Sequence, residues 1–71
     1  MSEPLSWDAT YALAIELNRK HPNLNLDSVS LRQVFLYVIN LPEFKDDPVL
    51  ANEEILLEIY RIWYEEQNHD K

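Results

Sequence analysis

The sequence contains no glycine in 71 residues, although a chain of this length ordinarily has about five. Loops that cradle phosphates need glycine so that the backbone can approach the anion closely, which excludes nucleotide binding of the P-loop or dinucleotide kind. The tight turns of β-hairpins lose their preferred residue as well. Helices need no glycine, and the sequence therefore predicts an all-α protein.

The length allows one domain with a thin core. We expect residues 1–71 to form a single domain whose ordered core spans about residues 6–67, with short flexible termini. There is no cysteine, so the chain itself holds no disulfide, thiolate metal site or iron–sulfur cluster. The absence of disulfides favours a reducing compartment. No apolar run approaches the roughly 20 residues of a membrane span, and the N-terminal residues do not resemble a signal peptide. We therefore expect a cytoplasmic protein without a membrane anchor.

The net charge of −7 is unevenly distributed. Residues 1–42 carry four acidic and three basic side chains, whereas residues 43–71 carry nine acidic and three basic ones. Nucleic acid is repelled by such a surface because its affinity for proteins comes mainly from Lys and Arg. A basic protein surface or a cation is attracted to it. The alternative is that the acidic residues only keep a small protein in solution.

The first predicted helix begins at Ser6, a suitable N-cap, and places Asp8 in the first turn, where the helix dipole favours an anion. It ends before Pro22. Helical spacing predicts a buried stripe with Leu13 at its edge. The stripe consists of Trp7, Tyr11, Ala14, Leu17 and His21. In the polar turn at 22–29, apolar residues are expected to reach the core, namely Leu24, Leu26 and Val29.

The second predicted helix begins at Ser30, which forms a capping-box pattern with Gln33, and Pro42 follows its end. Its predicted buried residues are Leu31, Val34, Phe35, Val38, Ile39 and Leu41. The β-branched residues of this segment are also compatible with a strand, but the capping box and the lack of hairpin signals favour a helix. With the third helix described below, the turn between the first two helices predicts a three-helix bundle of helix-turn-helix topology.

A proline-bounded acidic loop at 42–51 comes next, with Phe44 as its apolar anchor, and Asp47-Pro48 predicts the start of one helical turn. The third predicted helix covers about residues 52–67, and the chain is expected to fray from Asn68. Its predicted core face consists of Ile55, Leu56, Ile59, Ile62 and Trp63. Its predicted outer face carries Glu53, Glu54, Glu58 and Glu65.

The sequence offers little for catalysis. His21 lies at a helix end beside proline and His69 lies in the tail, and neither is paired with a nucleophile in the manner that covalent catalysis needs. A carboxylate acid–base pair needs one desolvated member, and no acidic residue falls on an apolar stripe. We therefore expect the protein not to be an enzyme.

Metal binding is a sharper hypothesis. Glu54 and Glu58 are four residues apart on one helix, as are Glu65 and His69, and the loop concentrates Glu43, Asp46 and Asp47. Such oxygen ligands suit divalent cations that accept carboxylate and water. Without an enclosing shell of further contacts, binding should be weak and unselective. The alternative is a solvated helix face with no ligand.

Two stretches carry a more specific resemblance. Residues 44–56 read Phe-Lys-Asp-Asp-Pro-Val-Leu-Ala-Asn-Glu-Glu-Ile-Leu and are followed by Ile59 and by Trp-Tyr-Glu-Glu at 63–66. Upstream, Ser-Trp-Asp at 6–8 is followed by His-Pro-Asn-Leu at 21–24. These motifs and their spacing resemble the IscX family, small acidic proteins of the bacterial iron–sulfur cluster assembly system. The resemblance spans about residues 6–66.

The resemblance implies a winged-helix-like fold of three helices and a role as regulator or iron adaptor in cluster assembly. It implies binding to the cysteine desulfurase of that system in competition with frataxin or ferredoxin, weak Fe²⁺ binding and no cluster on this chain. We expect a monomer. The Fe²⁺ ligands are expected among Glu43, Asp46, Asp47, Glu54 and Glu58. The surface for the desulfurase is expected to comprise Asp8, Glu43, Asp46, Asp47, Glu53 and Glu54.

This sequence departs from the family pattern at several positions. Ala51 replaces a serine, so that Asn52 or Asp47 must supply the helix cap. Lys45 replaces a common acid, and residues 24–26 and 31–34 lack acids that the family has. These differences weaken the expectation for iron more than that for the partner. Two alternatives remain, a helix-turn-helix-type interaction module without an iron role and a metal-delivery protein that acts without any partner.

Overall fold

The computed structural model of the protein describes residues 4–69, and three α-helices dominate them. Two short 3₁₀ turns lie in the connections between the helices. The elements in chain order are α1 (Thr10–Lys20), a 3₁₀ turn at Leu26–Ser28, α2 (Leu31–Ile39), a 3₁₀ turn at Pro48–Leu50 and α3 (Glu53–His69). The predicted all-α class is confirmed, and the strand considered for residues 34–39 is wrong.

The start of α2 follows the predicted capping box. The Gln33 backbone N–H donates to the Ser30 hydroxyl at 3.2 Å, and the Ser30 N–H donates to the Gln33 side-chain oxygen at 2.9 Å. Two backbone donors that the helix leaves unpaired are thereby satisfied by residues only three positions apart. Because this device is local, the sequence alone was sufficient to predict it.

The start of α1 differs from the prediction. Residues 6–9 form a turn in which the Ala9 N–H donates to the Ser6 carbonyl at 3.0 Å, and the helix begins only at Thr10, without a side-chain cap. Ser6 is therefore not the N-cap, and Asp8 lies before the first helical turn. The reason is tertiary, because the backbone N–H of Trp7 is bonded to Asp46 and its indole to the carbonyl of Asp47.

The core combines residues from all three helices and from the two long connections. Trp7 and Trp63 are both buried, as are Phe44 and Leu26. The remaining core residues are Leu13, Ala14, Leu17, Val34, Val38, Leu41 and Ile59. Leu24 and Val29 pack against this core as predicted.

Three predictions about the buried stripe of α1 need correction. Tyr11 is 60% exposed, and Leu13, expected at the edge, is fully buried. His21 is only half-buried, beside Tyr37. Trp7 precedes α1, so its burial does not define the inward face of the helix, which carries Leu13, Ala14 and Leu17 and packs most extensively against α3.

Helix α3 begins close to the predicted position and continues further. Asn52 caps it, since its side-chain oxygen accepts the Ile55 N–H at 2.9 Å. The helix continues through His69, so that Asn68, expected to be frayed, is helical. Ile59 and Trp63 are buried, and Ile55, Leu56 and Ile62 pack around the core. None of the described helices is long and apolar enough to cross a membrane.

The segment before α1 lies alongside the acidic loop. The Leu5 N–H donates to the Glu43 carbonyl at 2.8 Å, and the Lys45 N–H donates to the Leu5 carbonyl at 2.9 Å. Leu5 and Phe44 thus form an isolated parallel bridge, the only β-pairing in residues 4–69. The winged-helix detail that the resemblance implies stays a prediction.

Candidate functional site

Trp7 attaches the acidic loop to the rest of the molecule. Its backbone N–H donates to the Asp46 carboxylate at 3.0 Å, and its indole N–H donates to the Asp47 carbonyl at 2.8 Å. Its ring lies parallel to that of Phe35 at 6.1 Å and meets Phe44 edge-on at 4.8 Å. Edge-to-face contacts of this kind add to the free energy gained from burial. The loop is therefore held in one position by both polar and apolar contacts.

The two aspartates of the loop have different structural roles. One carboxylate oxygen of Asp46 accepts the Trp7 N–H, and the other accepts the Asp47 N–H at 2.7 Å. Asp47 caps the second 3₁₀ turn as predicted, since its carboxylate accepts the Val49 N–H at 3.0 Å. Asp46 also contributes to the fold, because its carboxylate joins the loop to Trp7.

The first turn of α3 presents Glu53 and Glu54 to solvent. Both are exposed, and their negative charges lie at the helix end where the dipole stabilises anions. The helix cap at Asn52 fixes the direction in which this turn leaves the loop. Glu53 and Glu54 therefore continue the negative charge of the loop onto the helix.

A shallow depression of about 370 Å³ lies where α1, α3 and the turn at Trp7 meet. Its polar rim includes Asp8, Glu54 and Glu58, three of the acids singled out from the sequence. The Thr10 hydroxyl donates to the Glu58 carboxylate at 2.9 Å across this depression. Thr10 was not predicted, because nothing in the spacing of the sequence relates it to a residue 48 positions away.

Glu43 is separate from these residues. It does not line the depression at Trp7; its side chain is half-buried, and its Oε1 atom is buried without a hydrogen-bond partner among the described residues. A hydrogen bond from Arg19 to Glu16 is the main cause of the raised pKa of Arg19, and the negative charge of Glu43 contributes to it. Glu43 therefore does not join Asp8, Glu54 and Glu58 at the depression.

The acidic residues of the site are not neutralised by neighbouring bases. In residues 4–69 the ion pairs are Glu16–Arg19 and Glu65–Arg61, and neither involves a predicted site residue. Six carboxylates lie between positions 43 and 58, with Lys45 as the only base. The described part of the chain contains no group of three or more carboxylate or imidazole side chains placed to hold a metal ion. The arrangement is therefore a strongly negative surface without a preformed metal cage.

Exposed apolar residues beside these acids were missed in the sequence. Val49 and Leu50, in the second 3₁₀ turn, are 83% and 57% exposed. Leu57 and Tyr64, on the outer face of α3, are also exposed. A signal was present, because Leu57 and Tyr64 lie outside the predicted core face of the third helix at i and i+7. It was hidden by the denser apolar pattern of the core face.

The fold and the site define a small all-α protein whose acidic site residues make no ion pair within residues 4–69. The chain matches a family model described as iron-sulphur cluster assembly over residues 5–68. It is also 33% identical over 64 residues to an uncharacterized protein of Pseudomonas aeruginosa, an alignment that covers 90% of this chain and 97% of the relative. The chain belongs to the iron–sulphur cluster assembly family, that of IscX, and the resemblance seen in the sequence is confirmed.

Proposed function

We propose that this protein is an accessory factor that binds the cysteine desulfurase of iron–sulfur cluster assembly through its acidic surface and binds Fe²⁺ weakly there. Membership of the family establishes the role in cluster assembly. The single observation that supports the finer proposal is the set of acids at the depression and the start of α3, which lack ion-pair partners among residues 4–69. A basic protein surface would neutralise them.

The acids differ in how freely they can bind a partner. The carboxylate oxygens of Asp46 and Asp47 already accept backbone N–H groups of this chain. Asp8, Glu53 and Glu54 are exposed and make no ion pair within residues 4–69. We therefore assign the main contacts with the desulfurase to Asp8, Glu53 and Glu54. Asp46 and Asp47 contribute their charge and hold the loop in place.

The exposed apolar residues of the second 3₁₀ turn support the proposal that the desulfurase binds this same surface. Val49 and Leu50 lie between the loop acids and the first turn of α3, and both are largely exposed. Protein interfaces commonly combine an apolar centre with a polar rim. Val49 and Leu50 would form the centre of the contact, and the acids around them would speed association by attracting a basic partner.

The desulfurase proposal is tested with two matched double variants. Glu53→Gln with Glu54→Gln removes two charges at the start of α3, and Glu65→Gln with Glu66→Gln removes two charges near its end. We expect the first pair to slow association with the purified desulfurase several-fold at low salt, and to do so less at high salt because the charges are then screened. Surface plasmon resonance at two ionic strengths measures the rate constants.

Equal losses in the two double variants would show that diffuse net charge is responsible and that the start of α3 is not the docking surface. Binding that neither variant changes would contradict an electrostatic contact altogether. Failure of the unmodified protein to bind the desulfurase would overturn the proposal.

For iron, Glu54 and Glu58 are the strongest candidates. They are one helical turn apart, where side chains lie roughly 5–6 Å from each other, and both border the depression at Trp7. Two carboxylates and water suit a hard divalent cation bound weakly. Asp46 and Asp47 would assist mainly by charge, and the half-buried Glu43 would contribute least.

Anaerobic titration with Fe²⁺, followed by paramagnetic broadening of amide signals, tests this assignment. Broadening should start within residues 43–58 and should be strongest near Glu54 and Glu58. Glu54→Gln with Glu58→Gln should remove it, and Glu65→Gln with Glu66→Gln should leave it. Broadening that begins at His21 or His69 would contradict the proposed ligands.

A further inference from the structure

A groove of about 630 Å³ runs along α3 outside the face that packs into the core. Its floor is apolar and consists of Leu57, Tyr60 and Tyr64, of which Leu57 is 50% and Tyr64 41% exposed. The Tyr60 hydroxyl donates to the Leu26 carbonyl at 2.9 Å, and its ring lies 6.2 Å from that of Tyr64. Tyr60 is therefore held in place before any partner binds.

Leu57 and Tyr64 are exposed and lie outside the core, whereas Tyr60 is partly buried against it. Ile59 and Trp63 are fully buried and form the inward face of α3. Leu57, Tyr60 and Tyr64 are spaced at i, i+3 and i+7, and such residues share one face of a helix. The helix thus has a second apolar stripe, which is open to solvent at Leu57 and Tyr64.

The rim of the groove is acidic. Asp27 projects from the first 3₁₀ turn, and Glu54, Glu58 and Glu65 come from α3. Of these, Glu65 is paired with Arg61 at 3.3 Å, and Arg61 is the one base that lines the groove in the described part of the chain. Asp27, Glu54 and Glu58 remain without an ion-pair partner among residues 4–69.

The dimensions and charge of the groove select one kind of occupant. From Glu54 to Glu65 the helix advances about 16 Å, which equals three turns of a second helix laid along it. Amphipathic helices bind such grooves with apolar side chains at helical spacing. Lys or Arg beside those side chains would meet Asp27, Glu54 and Glu58.

We propose that this groove is a docking site for a basic amphipathic helix of a protein partner. Nucleic acid is disfavoured by the acidic rim. A second copy of this chain is disfavoured as well, because each copy carries a net charge of −7. The rim of the groove shares Glu54 with the desulfurase surface, but the apolar floor lies outside that surface, so the proposal adds a further docking site.

The test uses the full chain and a synthetic helical peptide of about 12 residues, or three turns. The peptide carries leucines on one face and lysines elsewhere, and a scrambled isomer of the same composition carries the same charge without the apolar face. Amide chemical shifts are followed during titration. We expect saturable binding of the amphipathic peptide with shifts centred on Leu57 and Tyr64, and at least tenfold weaker binding of the scrambled isomer.

Leu57→Ala is compared with the matched variant Leu36→Ala, because Leu36 is a similarly exposed leucine on α2. Alanine favours helices, so both variants should fold, which their circular dichroism melts check. Removing a leucine side chain from the contact should weaken peptide binding about fivefold in Leu57→Ala, and Leu36→Ala should bind as the unmodified protein does. Neither variant alters an acid of the desulfurase surface, so this result is independent of that proposal.

Equal affinity for the two peptides would overturn the proposal, because attraction would then depend on charge alone. Equal losses in Leu57→Ala and Leu36→Ala would overturn it too, since the groove would not be the site. Sedimentation that shows a dimer dispersed by Leu57→Ala would identify a second copy as the occupant and would likewise contradict a basic helix.

Discussion

Trp7 and Trp63 are both buried, yet they are held in different ways. Trp7 donates two hydrogen bonds to residues 39 and 40 positions away, Asp46 and Asp47. Trp63 meets Tyr37 edge-on and lies near His21, and its indole nitrogen is buried without a hydrogen-bond partner among the described residues. Polar contacts thus hold the surroundings of Trp7, including the acidic loop, which we call the Trp7 end. Apolar packing holds the surroundings of Trp63, which we call the Trp63 end.

The difference indicates which substitutions each end tolerates. At the Trp7 end, the carboxylate of Asp46, which the sequence predicts as a binding group, also joins the acidic loop to Trp7. At the Trp63 end, shape and volume determine stability, and charge has little part. Loss of binding after a change in the loop must therefore be separated from loss of structure.

Trp63→Ala should have the largest effect on stability. Truncating a fully buried tryptophan costs about 3–5 kcal/mol, which is comparable with the whole stability of a small domain. Urea denaturation followed by circular dichroism measures the loss. A Trp63→Ala protein that unfolds at the same urea concentration as the unmodified chain would contradict the packed character of this end.

Asp46→Ala should come next, at about 2 kcal/mol. Of the two backbone N–H groups that its carboxylate accepts, from Trp7 and Asp47, only that of Trp7 belongs to a distant segment, and one hydrogen bond to a charged group is worth roughly 1.5–3 kcal/mol. Asp47→Ala is the matched control and should cost about 1 kcal/mol, the usual value for a lost cap. If Asp47→Ala proves the more destabilising of the two, Asp46 does not hold the loop to Trp7.

Trp7→Phe and Trp63→Phe compare the two indoles directly. Both remove similar volume, but only Trp7→Phe also removes a hydrogen bond, that to the Asp47 carbonyl. We expect Trp7→Phe to be more destabilising by about 1 kcal/mol. The difference between the two denaturation midpoints measures it, and equal midpoints would show that the indole hydrogen bond of Trp7 contributes nothing net.

The smallest expected effect concerns Glu16, on α1 between the two ends. The hydrogen bond from Arg19 is the main cause of the lowered pKa of Glu16. A carboxyl whose folded-state pKa is lowered contributes stability above its unfolded pKa and loses it as the pH falls through the folded value. Glu16→Gln should therefore be slightly less stable than the unmodified protein at pH 7, and this difference should shrink as the pH falls through the folded-state pKa of Glu16. A gap in melting temperature that widens towards acid pH would contradict this sign.

The sequence predicted best what depends on neighbours along the chain. The capping box of Ser30 and Gln33 and the cap of Asp47 before Pro48 involve residues one to three positions apart. The burial of Trp63 follows from helical periodicity in a long, well-patterned helix. The motifs in residues 44–66 were also sufficient to identify the family.

The position of each acid within the site could not be read from the chain in the same way. Asp8, Glu54 and Glu58 surround one depression, whereas Glu43 is half-buried away from it. Their separation along the sequence gives no indication of this grouping. It depends on how α1 crosses α3 and on where the loop is attached.

The sequence by itself determined the helical class, the local caps, the acidic charge of residues 43–71 and the family. Only the tertiary structure decided that α1 begins at Thr10, that Asp46 holds the loop and that Leu57 lies in an open groove. The physical reason is the range of the interactions. Caps and periodicity act within one or two turns, whereas the bonds of Trp7 join segments about 40 residues apart and exist only once the core has formed.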